Sequence, residues 1–454
     1  MCASRARHVF GQYGLDLWGP NEHYDLLHRE QRGAVILWER AILGGKRWIK
    51  LKPNDPRIPE MLRAQEGQND AYITPNEFDG WRLVRLLRSL RACYVDLDGC
   101  TDIEAVLDAL SARQLPCPSF ILLSGRGLHL YWLLEAVPAQ ALPVWQRIQD
   151  ALIAALADLG ADSAAKDCTR LLRLAGTRNS KNAVEIVGHI FDGHRWSLRQ
   201  LAFEVLGRDG KGRRPAEVRD LRAKRKGPDR AIQGSIYARW LLVFQDLIRI
   251  SEHHRHDIPE GHRDKWLFLC GAALSWFTHP QGIAAEIASL GRLHTGLDPQ
   301  EILAATKPNL ERAIDAAAGK KLTWNGQEVD PRYRFKRQTL YDWLAPILPE
   351  DLLPQLRAII PDNLARKRED LRQKARNRAA EGRYGDNYTK AGVRAGNLEK
   401  RAQAQAMSAL GRSYRQIAAE LGVSEASIRR WCRGCDVIAP LVYPPRRVRR
   451  SLAP

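Results

Sequence analysis

The sequence lacks the features that would place the chain in a membrane or in a secretory pathway. No run of about 18 apolar residues occurs, which is the length that a membrane-spanning helix requires. The first residues also lack the pattern of a signal peptide. We therefore expect a cytoplasmic protein that does not interact with membranes.

A second absence concerns ATP. The sequence has no segment of the form G-x-x-x-x-G-K-[ST], the glycine-rich loop that binds the phosphates of ATP in many motor proteins. We therefore do not expect this chain to unwind nucleic acid with ATP, and any helicase that works with it is expected to be a separate protein.

The spacing of the cysteines gives no zinc site. Of the eight cysteines, only Cys432 and Cys435 form a C-x-x-C pair. A structural zinc site usually needs a second such pair, or histidines at a set spacing. We expect no bound zinc, and we expect reduced thiols.

Positive charge is what the sequence has in excess. Lysine and arginine number 71 against 52 acids, so the net charge is +19 at pH 7. A charge of this size is typical of proteins that bind nucleic acid or another polyanion. The length of 454 residues is enough for two to four domains.

Strands and helices alternate in the first half of the sequence, which predicts a mixed α/β domain. The predicted elements are a hairpin at residues 33–53, strands at 70–76, 119–123, 129–133 and 183–190, and helices at 82–90, 101–113 and 143–159. The later sequence is mostly helical by its apolar periodicity.

Changes in composition predict the domain boundaries. The predicted segments are the α/β domain at 1–207, a basic linker at 208–230, a helical domain at 231–350, a charged helix and linker at 351–396, a helix-turn-helix at 397–438 and a basic tail at 439–454. Residues 384–396 are expected to be glycine-rich coil. The basic linker is either a simple spacer or a contact for phosphate.

Two acids end a predicted buried strand at residues 91–99. Asp96 and Asp98 are two positions apart, so both side chains project from the same face of a strand. Mg²⁺ prefers one or two carboxylates together with substrate phosphates. The pair is consistent with a site for a hard divalent cation, although a solvated strand end is the commoner explanation of these two residues taken alone.

A histidine and a third acid follow this pair along the chain. His129 comes after the turn at residues 124–127, whose glycines allow the backbone to approach a ligand closely. Asp162 and Asp167 both precede a basic stretch. Three carboxylates with Mg²⁺ or Mn²⁺ are what nucleotidyl transfer requires, and nearby cations can hold a triphosphate. Taken alone, His129 is also explained as a histidine of the core.

Three of these pieces resemble one family. The segment Val95-Asp96-Leu97-Asp98 resembles the D-x-D motif of archaeo-eukaryotic-type primases, the primase–polymerase superfamily. Gly127-Leu128-His129 resembles the small-x-His motif of the same proteins. Residues 162–181 resemble the third-acid region of plasmid and phage replication primases.

The resemblance implies an RRM-like catalytic sheet in an α/β domain. It implies that Asp96, Asp98 and a third acid hold Mg²⁺ or Mn²⁺, and that His129 contacts the triphosphate of the incoming nucleotide. The residues expected to bind this nucleotide are Ser124, Arg126, Gly127, Arg170, Arg173 and Lys181.

The third acid is left open between two residues. Asp162 follows the apolar Ala161, as the motif requires, whereas Asp167 lies closer to the arginines. We slightly favour Asp162. Ala175 departs from the family pattern, because related sequences often have proline at this position.

A helix-turn-helix is predicted within residues 397–438. Two helical segments flank Gly422, and Ser424 is placed to cap the second segment. This second segment would be the recognition helix. The residues expected to contact DNA are Ser424, Glu425, Ser427, Arg429 and Arg430. An ordinary pair of antiparallel helices is the alternative.

The combined hypothesis is a replication primase or primase–polymerase of a plasmid, phage or integrated element. Its expected partners are single- and double-stranded DNA, nucleoside triphosphates and a separate replicative helicase. Two alternatives remain: a DNA-binding initiator or transcriptional regulator without catalysis, and a nuclease that uses the same acids.

Overall fold

The computed structural model describes residues 19–40, 46–191, 193–207, 236–384 and 390–432. The chain divides into two compact units, Met1–Pro361 and Asp362–Pro454. The predicted linker at 208–230, the predicted tail at 439–454 and Cys435 lie outside the described residues.

The first part of the larger unit mixes strands with short helices, so the predicted α/β class is confirmed. Its elements are α1 (Pro20–His28), β1 (Val35–Arg40), β2 (Lys46–Leu51), α2 (Ile58–Arg63), β3 (Ala71–Ile73), β4 (Glu77–Phe78), β5 (Leu87–Asp98), α3 (Ile103–Ala112), β6 (Phe120–Leu123), β7 (Gly127–Pro138), α4 (Leu142–Ala155), β8 (Leu172–Arg173), β9 (Arg178–Asn179), β10 (Val184–Glu185), β11 (Val187–Ile190), β12 (Arg195–Trp196) and α5 (Leu198–Leu206).

A six-stranded sheet forms the centre of this part. Its order is β11-β6-β7-β5-β4, with β12 parallel to β7. Most residues of β5 and β7 are buried. Strands covered on both faces need apolar side chains on both, which explains their nearly continuous apolar sequences.

The connections of this sheet follow an RRM-like order. The chain runs β5-α3-β6-β7-α4, and after α4 it returns antiparallel to β5 at the bridge between Leu97 and Ala161. This completes a βαββαβ unit in which the last strand is reduced to one bridge. The side chains of α4 brace the acid-bearing strand, because Trp145 Nε1 donates to Ala92 O at 2.8 Å and Gln149 bonds the backbone of Tyr94.

A second, four-stranded sheet has the antiparallel order β2-β1-β3-β8. On one face Leu37 and Ile73 are fully buried. Because β8 belongs to this sheet, the basic stretch that follows the third acid is fixed to it rather than to the six-stranded sheet.

The second part of the larger unit is helical. Its elements are α6 (Ile236–His253), α7 (Arg263–Leu274), α8 (Pro280–His294), α9 (Pro299–Ala317), β13 (Leu322–Trp324), β14 (Gln327–Val329) and α10 (Arg337–Leu344). Trp240 and Trp266 lie in its core. The Tyr237 hydroxyl donates to Asp150 on α4, so this part packs against the α/β part.

Three sequence predictions of local structure are wrong. Residues 82–90 form a single 3₁₀ turn at Val84–Leu86 and then the start of β5, because pairing with β4 and β7 outweighs the local helical pattern. The strand predicted at 183–190 is two pieces, since Ile186 turns inward and its N–H donates to Thr177 O at 2.7 Å. The coil predicted at 384–396 is helical from Lys390 onward.

The smaller unit contains the helices α11 (Asp362–Tyr384), α12 (Lys390–Ala409), α13 (Tyr414–Leu421) and α14 (Glu425–Trp431). Ala404, Ile417, Ile428 and Cys432 form a small core that joins the last three helices. Gly422 ends α13 in the left-handed conformation, and Ser424 caps α14 by accepting the N–H of Ser427. This is the geometry predicted for a helix-turn-helix.

Two further sequence expectations can be compared with the structure. Within the described ranges, no helix is long and apolar enough to cross a membrane. Five cysteines there are free thiols, but Cys117 is disulfide-bonded, so the expectation of reduced thiols is wrong at this position.

Candidate active site

The two acids of the D-x-D segment lie at the end of β5, beside the glycine turn that precedes β7. In the antiparallel register, Asp96 faces His129 and Asp98 faces Gly127. Residues that face each other across two strands project from the same side of the sheet. The register therefore brings the acid pair and the histidine together, as the sequence predicted.

Asp162 reaches the same place through the bridge to β5. Its N–H donates to Asp96 O at 2.8 Å, and Asp98 N–H donates to Gly160 O at 2.9 Å. Gly160 permits this approach, because its φ is +85° and a Cβ there would lie 2.4 Å from Asp98 O. Three acids from two distant segments thus lie side by side.

The charges in this group influence each other. Burial raises the pKa of Asp98, and the neighbouring carboxylates of Asp96 and Asp162 raise it further. Burial also acts to raise the pKa of Asp96, but His129 and the nearby arginines outweigh it, so this pKa is lowered. The group is therefore a concentration of negative charge that favours a cation.

Arg170 is the cation that the acids contact. Its Nη2 lies 2.9 Å from Asp162 Oδ2 and 3.9 Å from Asp96 Oδ2. The side chain is partly buried and also donates to Ala164 O at 3.5 Å. The guanidinium thus bridges the third acid and the first acid of the D-x-D pair.

The residues present fit a hard divalent cation by their chemistry. Asp96, Asp98 and Asp162 offer carboxylate oxygens, the ligands that Mg²⁺ and Mn²⁺ prefer. In the described ranges, no group of three or more aspartate, glutamate, histidine or cysteine side chains has the arrangement of a metal site. Arg170 lies between two of the three acids, so a cation that bridges them requires its side chain to move.

Asp167 occupies a different position from Asp162. It is buried, and its Oδ1 accepts from Thr169 N–H at 3.1 Å and from Thr169 Oγ1 at 2.6 Å. The hydroxyl of Tyr94 donates to its backbone carbonyl. The carboxylate of Asp167 therefore organises its own loop.

His129 is buried against the first acid. Its Nε2 lies 3.4 Å from Asp96 Oδ1. Among the described residues, its buried Nδ1 has no hydrogen-bond partner. A satisfied core histidine would have partners for both nitrogens, so the geometry departs from that alternative.

The glycine turn serves the pairing of the strands. A Cβ at Gly127 would lie 1.8 Å from Leu97 O, so β7 approaches β5 too closely for any side chain. Asn179 Nδ2 holds the turn by donating to Ser124 O at 3.0 Å. Arg126 projects to solvent near Asp98, whose pKa it acts to lower. The close approach that we expected between this glycine and a ligand is an approach to the neighbouring strand.

Asp70 positions the basic stretch, and sequence reasoning missed it. Its buried carboxylate lies 3.2 Å from Arg173 Nη1 and 2.8 Å from Arg40 Nη2, and it accepts from Ser180 N–H at 3.2 Å. Its pKa is lowered because these bonds outweigh burial. Lys181 follows Ser180 and is exposed. A lone aspartate before a short strand gives no signal of such a role.

A cavity of about 470 Å³ opens beside the acids, between the α/β part and the helical part. Asp167 and Arg170 line it on one side, and Glu286 of α8 on the other. Glu286 accepts the backbone N–H groups of Val84 and Arg85, and burial raises its pKa to about 7. Sequence reasoning missed this residue, because its partners lie on a different part of the chain.

The expected DNA contacts lie on α14 and its N-cap. Ser424 and Ser427 bond each other through their hydroxyls at 2.9 Å, and Glu425 pairs with Arg429 at 2.7 Å. Arg430 is exposed and has no ion pair among the described residues. The predicted residues therefore share one short surface.

The chain is similar to several known proteins. Residues 396–436 match the family model of the homeodomain-like domain, so the predicted helix-turn-helix is confirmed. Two solved structures are similar to this chain at a low level. One is the AEP domain of the primase–polymerase of cyanophage S-2L, with 21% identity, TM-score 0.33 and coverage of 42% of this chain and 100% of that domain.

The other solved structure is the catalytic domain of primase RepB′ in complex with initiator DNA, with 17% identity and TM-score 0.29 over 42% of this chain and 94% of that one. The chain is also similar to a replication protein of Clostridium perfringens. The two are 29% identical over 339 residues, which cover 71% of this chain and 75% of the relative. The chain thus resembles a replication protein and carries a helix-turn-helix unit.

Proposed function

We propose that this protein is a primase or primase–polymerase that serves the replication of a mobile element such as a plasmid or phage. It would act in the cytoplasm and join nucleotides on a single-stranded DNA template. The observation that carries the proposal is the convergence of Asp96, Asp98 and Asp162 at one end of an RRM-like sheet, with His129 against Asp96.

The acids would hold Mg²⁺ or Mn²⁺. When bound, the metal polarises the α-phosphate, lowers the pKa of the attacking 3′-hydroxyl and offsets the charge of the pyrophosphate. Asp96 and Asp98 meet this need from one strand, and Asp162 from the adjoining bridge. Asp162 is the better candidate than Asp167, because the backbone of Asp162 is hydrogen-bonded to that of Asp96 at the end of β5.

The basic residues around the acids would bind the nucleotide. His129 and Arg170 both contact Asp96, so each can reach a triphosphate at that carboxylate. Arg173 is held in place by Asp70, and Lys181 follows on the same stretch. The turn that contains Ser124, Arg126 and Gly127 would close the other side of the nucleotide.

The smaller unit would hold double-stranded DNA through α14. Its two arginines can contact phosphates or base edges, and Ser424, Glu425 and Ser427 lie at the helix N-terminus, which enters the major groove in such motifs. A separate helicase would open the duplex, because the sequence has no ATP-binding loop of its own.

A second candidate function is DNA-binding initiation or transcriptional regulation without catalysis. The observation in its favour is Arg170, which neutralises part of the acid group without a metal. A guanidinium that never leaves this place would keep the acids permanently paired.

One experiment separates the two functions. The purified protein is incubated with single-stranded template, ribo- or deoxynucleotides, and Mg²⁺ or Mn²⁺, and products are resolved by length. We expect Asp96→Asn and Asp98→Asn to lower synthesis by at least about 100-fold. Asp108→Asn, an exposed acid on α3, is the matched control and should synthesise normally. Equal products from wild type and the Asp96→Asn variant, or none from wild type under broad conditions, would refute catalysis.

A further inference from the structure

Aromatic side chains form a row across the four-stranded sheet. Trp48 on β2 faces Trp38 on β1, and Trp38 faces Tyr72 on β3. The ring centroids are 6.5 Å apart for the first pair and 5.2 Å for the second. Tyr72 then faces Arg173 on β8, whose guanidinium lies 5.0 Å from the tyrosine ring.

This row lies on the side of the sheet away from the apolar core. Leu37 and Ile73, on the opposite face of the same strands, are fully buried, whereas Trp38 and Tyr72 are half-buried. Trp48 is 43% exposed. Large rings on the solvent side of a sheet gain little from folding, so their presence indicates a binding surface.

A second exposed tryptophan extends the row at its outer end. Trp81 is 46% exposed, and Lys50 Nζ lies 4.7 Å from its ring centroid. The guanidinium carbon of Arg82 lies 5.2 Å from the centroid of the Trp48 ring. Neither cation forms a salt bridge among the residues that the structure describes. Arg82 also donates to Thr169 O at 3.0 Å, so its charge is held in place without a carboxylate partner. Two tryptophans and two positive charges therefore share one surface.

The row and the cavity both lead to the acids. The 470 Å³ cavity reaches from Trp48 and Trp81 to Arg170, which contacts Asp162. At the other end of the row, Arg173 acts to lower the pKa of Asp96. A ligand bound on the rings would therefore extend toward the proposed catalytic centre, either through the cavity or along the row to Arg173.

We propose that this surface, the aromatic face (Trp48, Trp38, Tyr72 and Trp81 with Lys50 and Arg82), binds single-stranded DNA. Bases would stack on the rings, and phosphates would pair with Lys50 and Arg82. Stacking on aromatic side chains within a positive groove is the general mode of single-strand binding. This inference deepens the proposed function, because the bound strand would be the template.

The dimensions favour a strand over a single nucleotide or a duplex. Rings on three adjacent strands, roughly 4.8 Å apart, extend over about 10 Å, which is more than one base covers. The bases of a duplex have no free faces for these rings. A cavity of 470 Å³ holds a nucleotide-sized group and excludes a double helix.

Binding is measured on the full chain without metal or nucleotide. Fluorescence anisotropy with a labelled oligo(dT) of about 12 nucleotides gives the affinity. Trp48→Ala and Trp81→Ala should each weaken binding roughly 5- to 100-fold. Trp48→Phe keeps a stacking ring and should stay within about threefold of wild type. Trp324→Ala, at a tryptophan that is 70% exposed and lies outside the aromatic face, is the matched control and should bind normally.

Cross-linking separates this surface from the helix-turn-helix. Oligonucleotides that contain 5-iodo-deoxyuridine are irradiated with the full chain, and cross-linked peptides are identified by mass spectrometry. We expect cross-links at Trp48, Trp81 or Tyr72. Binding by the alanine variants within twofold of wild type, with cross-links only in the smaller unit, would overturn the inference. Variants that lose affinity for free nucleoside triphosphates but keep their affinity for oligo(dT) would also overturn the inference.

The outcome is independent of the synthesis assay. If wild type makes no product but the tryptophan variants lose oligo(dT), the catalytic proposal fails and the aromatic face remains. If synthesis depends on Asp96 but the variants bind and use template normally, only the aromatic face is refuted.

Discussion

The guanidinium of Arg170 lies 2.9 Å from the carboxylate of Asp162, within the acid group that would hold a divalent cation. Its other acidic neighbour, Asp96, is 3.9 Å away. A side chain with a fixed positive charge and a divalent cation cannot occupy the space between these two acids together. Binding of a metal at this proposed site would therefore require Arg170 to move, and its side chain would then be available to a triphosphate.

Removing this arginine should strengthen metal binding and weaken nucleotide binding. We expect Arg170→Gln to bind Mn²⁺ about tenfold more tightly in the absence of nucleotide, because one competing positive charge is gone. Electron paramagnetic resonance of free Mn²⁺ measures this without any catalytic step. Arg113→Gln, which removes a cation paired with Asp158, is the control and should leave Mn²⁺ affinity unchanged. Equal or weaker Mn²⁺ binding by Arg170→Gln would contradict the coupling.

Asp70 should matter for nucleotide binding although it lies outside the acid group. Asp70→Asn removes the charge that holds Arg173 and Arg40, so we expect KM for nucleotide to rise about tenfold with a smaller change in kcat. Breaking a buried ion pair should also lower the free energy of unfolding by roughly 3 kcal/mol. Asp79→Asn, which removes an exposed pair with Arg88, should change neither quantity. A normal KM for Asp70→Asn would show that Arg173 does not bind the nucleotide.

Glu286 should make stability depend on pH. Its pKa is about 7 in the folded protein and near 4.5 in an unfolded chain, so the folded state holds the proton more tightly between these values. Stability from this residue is therefore complete below about pH 4.5 and falls as pH rises toward 7, by roughly 2–3 kcal/mol. Glu286→Gln keeps an oxygen for the N–H groups of Val84 and Arg85 and removes the titration. The measurement is urea unfolding of both proteins from pH 5 to 8. Parallel curves would rule out the effect.

Arg430 should contribute to duplex binding through phosphate. Arg430→Ala is expected to weaken binding about tenfold and to reduce the slope of log affinity against log salt by about 1. Arg412→Ala is the control, because Arg412 pairs with Glu420. Anisotropy with a labelled duplex at several salt concentrations measures both. An unchanged salt slope would mean that Arg430 points away from the phosphates.

The parts of the site that local sequence determines were predictable. Two acids spaced two residues apart at the end of an apolar strand identified Asp96 and Asp98 as candidate site residues. Gly422 between two helical segments, followed by the capping residue Ser424, identified the helix-turn-helix. The parts that depend on pairing between distant strands were not. No local pattern shows that Trp38 lies between Trp48 and Tyr72, since strand register is set by the folded sheet.

Competition between local and distant interactions explains the errors. The prediction of a helix at 82–90 was wrong because β5 begins at Leu87. Hydrogen bonding to β4 stabilises this segment more than a further turn of helix would. The sequence favoured Asp162 over Asp167 only slightly, since only the bridge at Ala161 shows which segment lies beside β5. Glu286 and Asp70 act on partners far along the chain, which no spacing rule detects.

Residues 160–162 are attached to β5 by a single bridge, which gives the proposed metal site its own capacity for local opening. Asp96 and Asp98 belong to a long strand whose amides exchange with solvent only when the sheet opens. Asp162 is joined to that strand by two hydrogen bonds, so its segment can separate at low cost while the sheet stays intact. In the proposed mechanism, the third acid would therefore enter and leave the site with each nucleotide, while Asp96 and Asp98 stay in place.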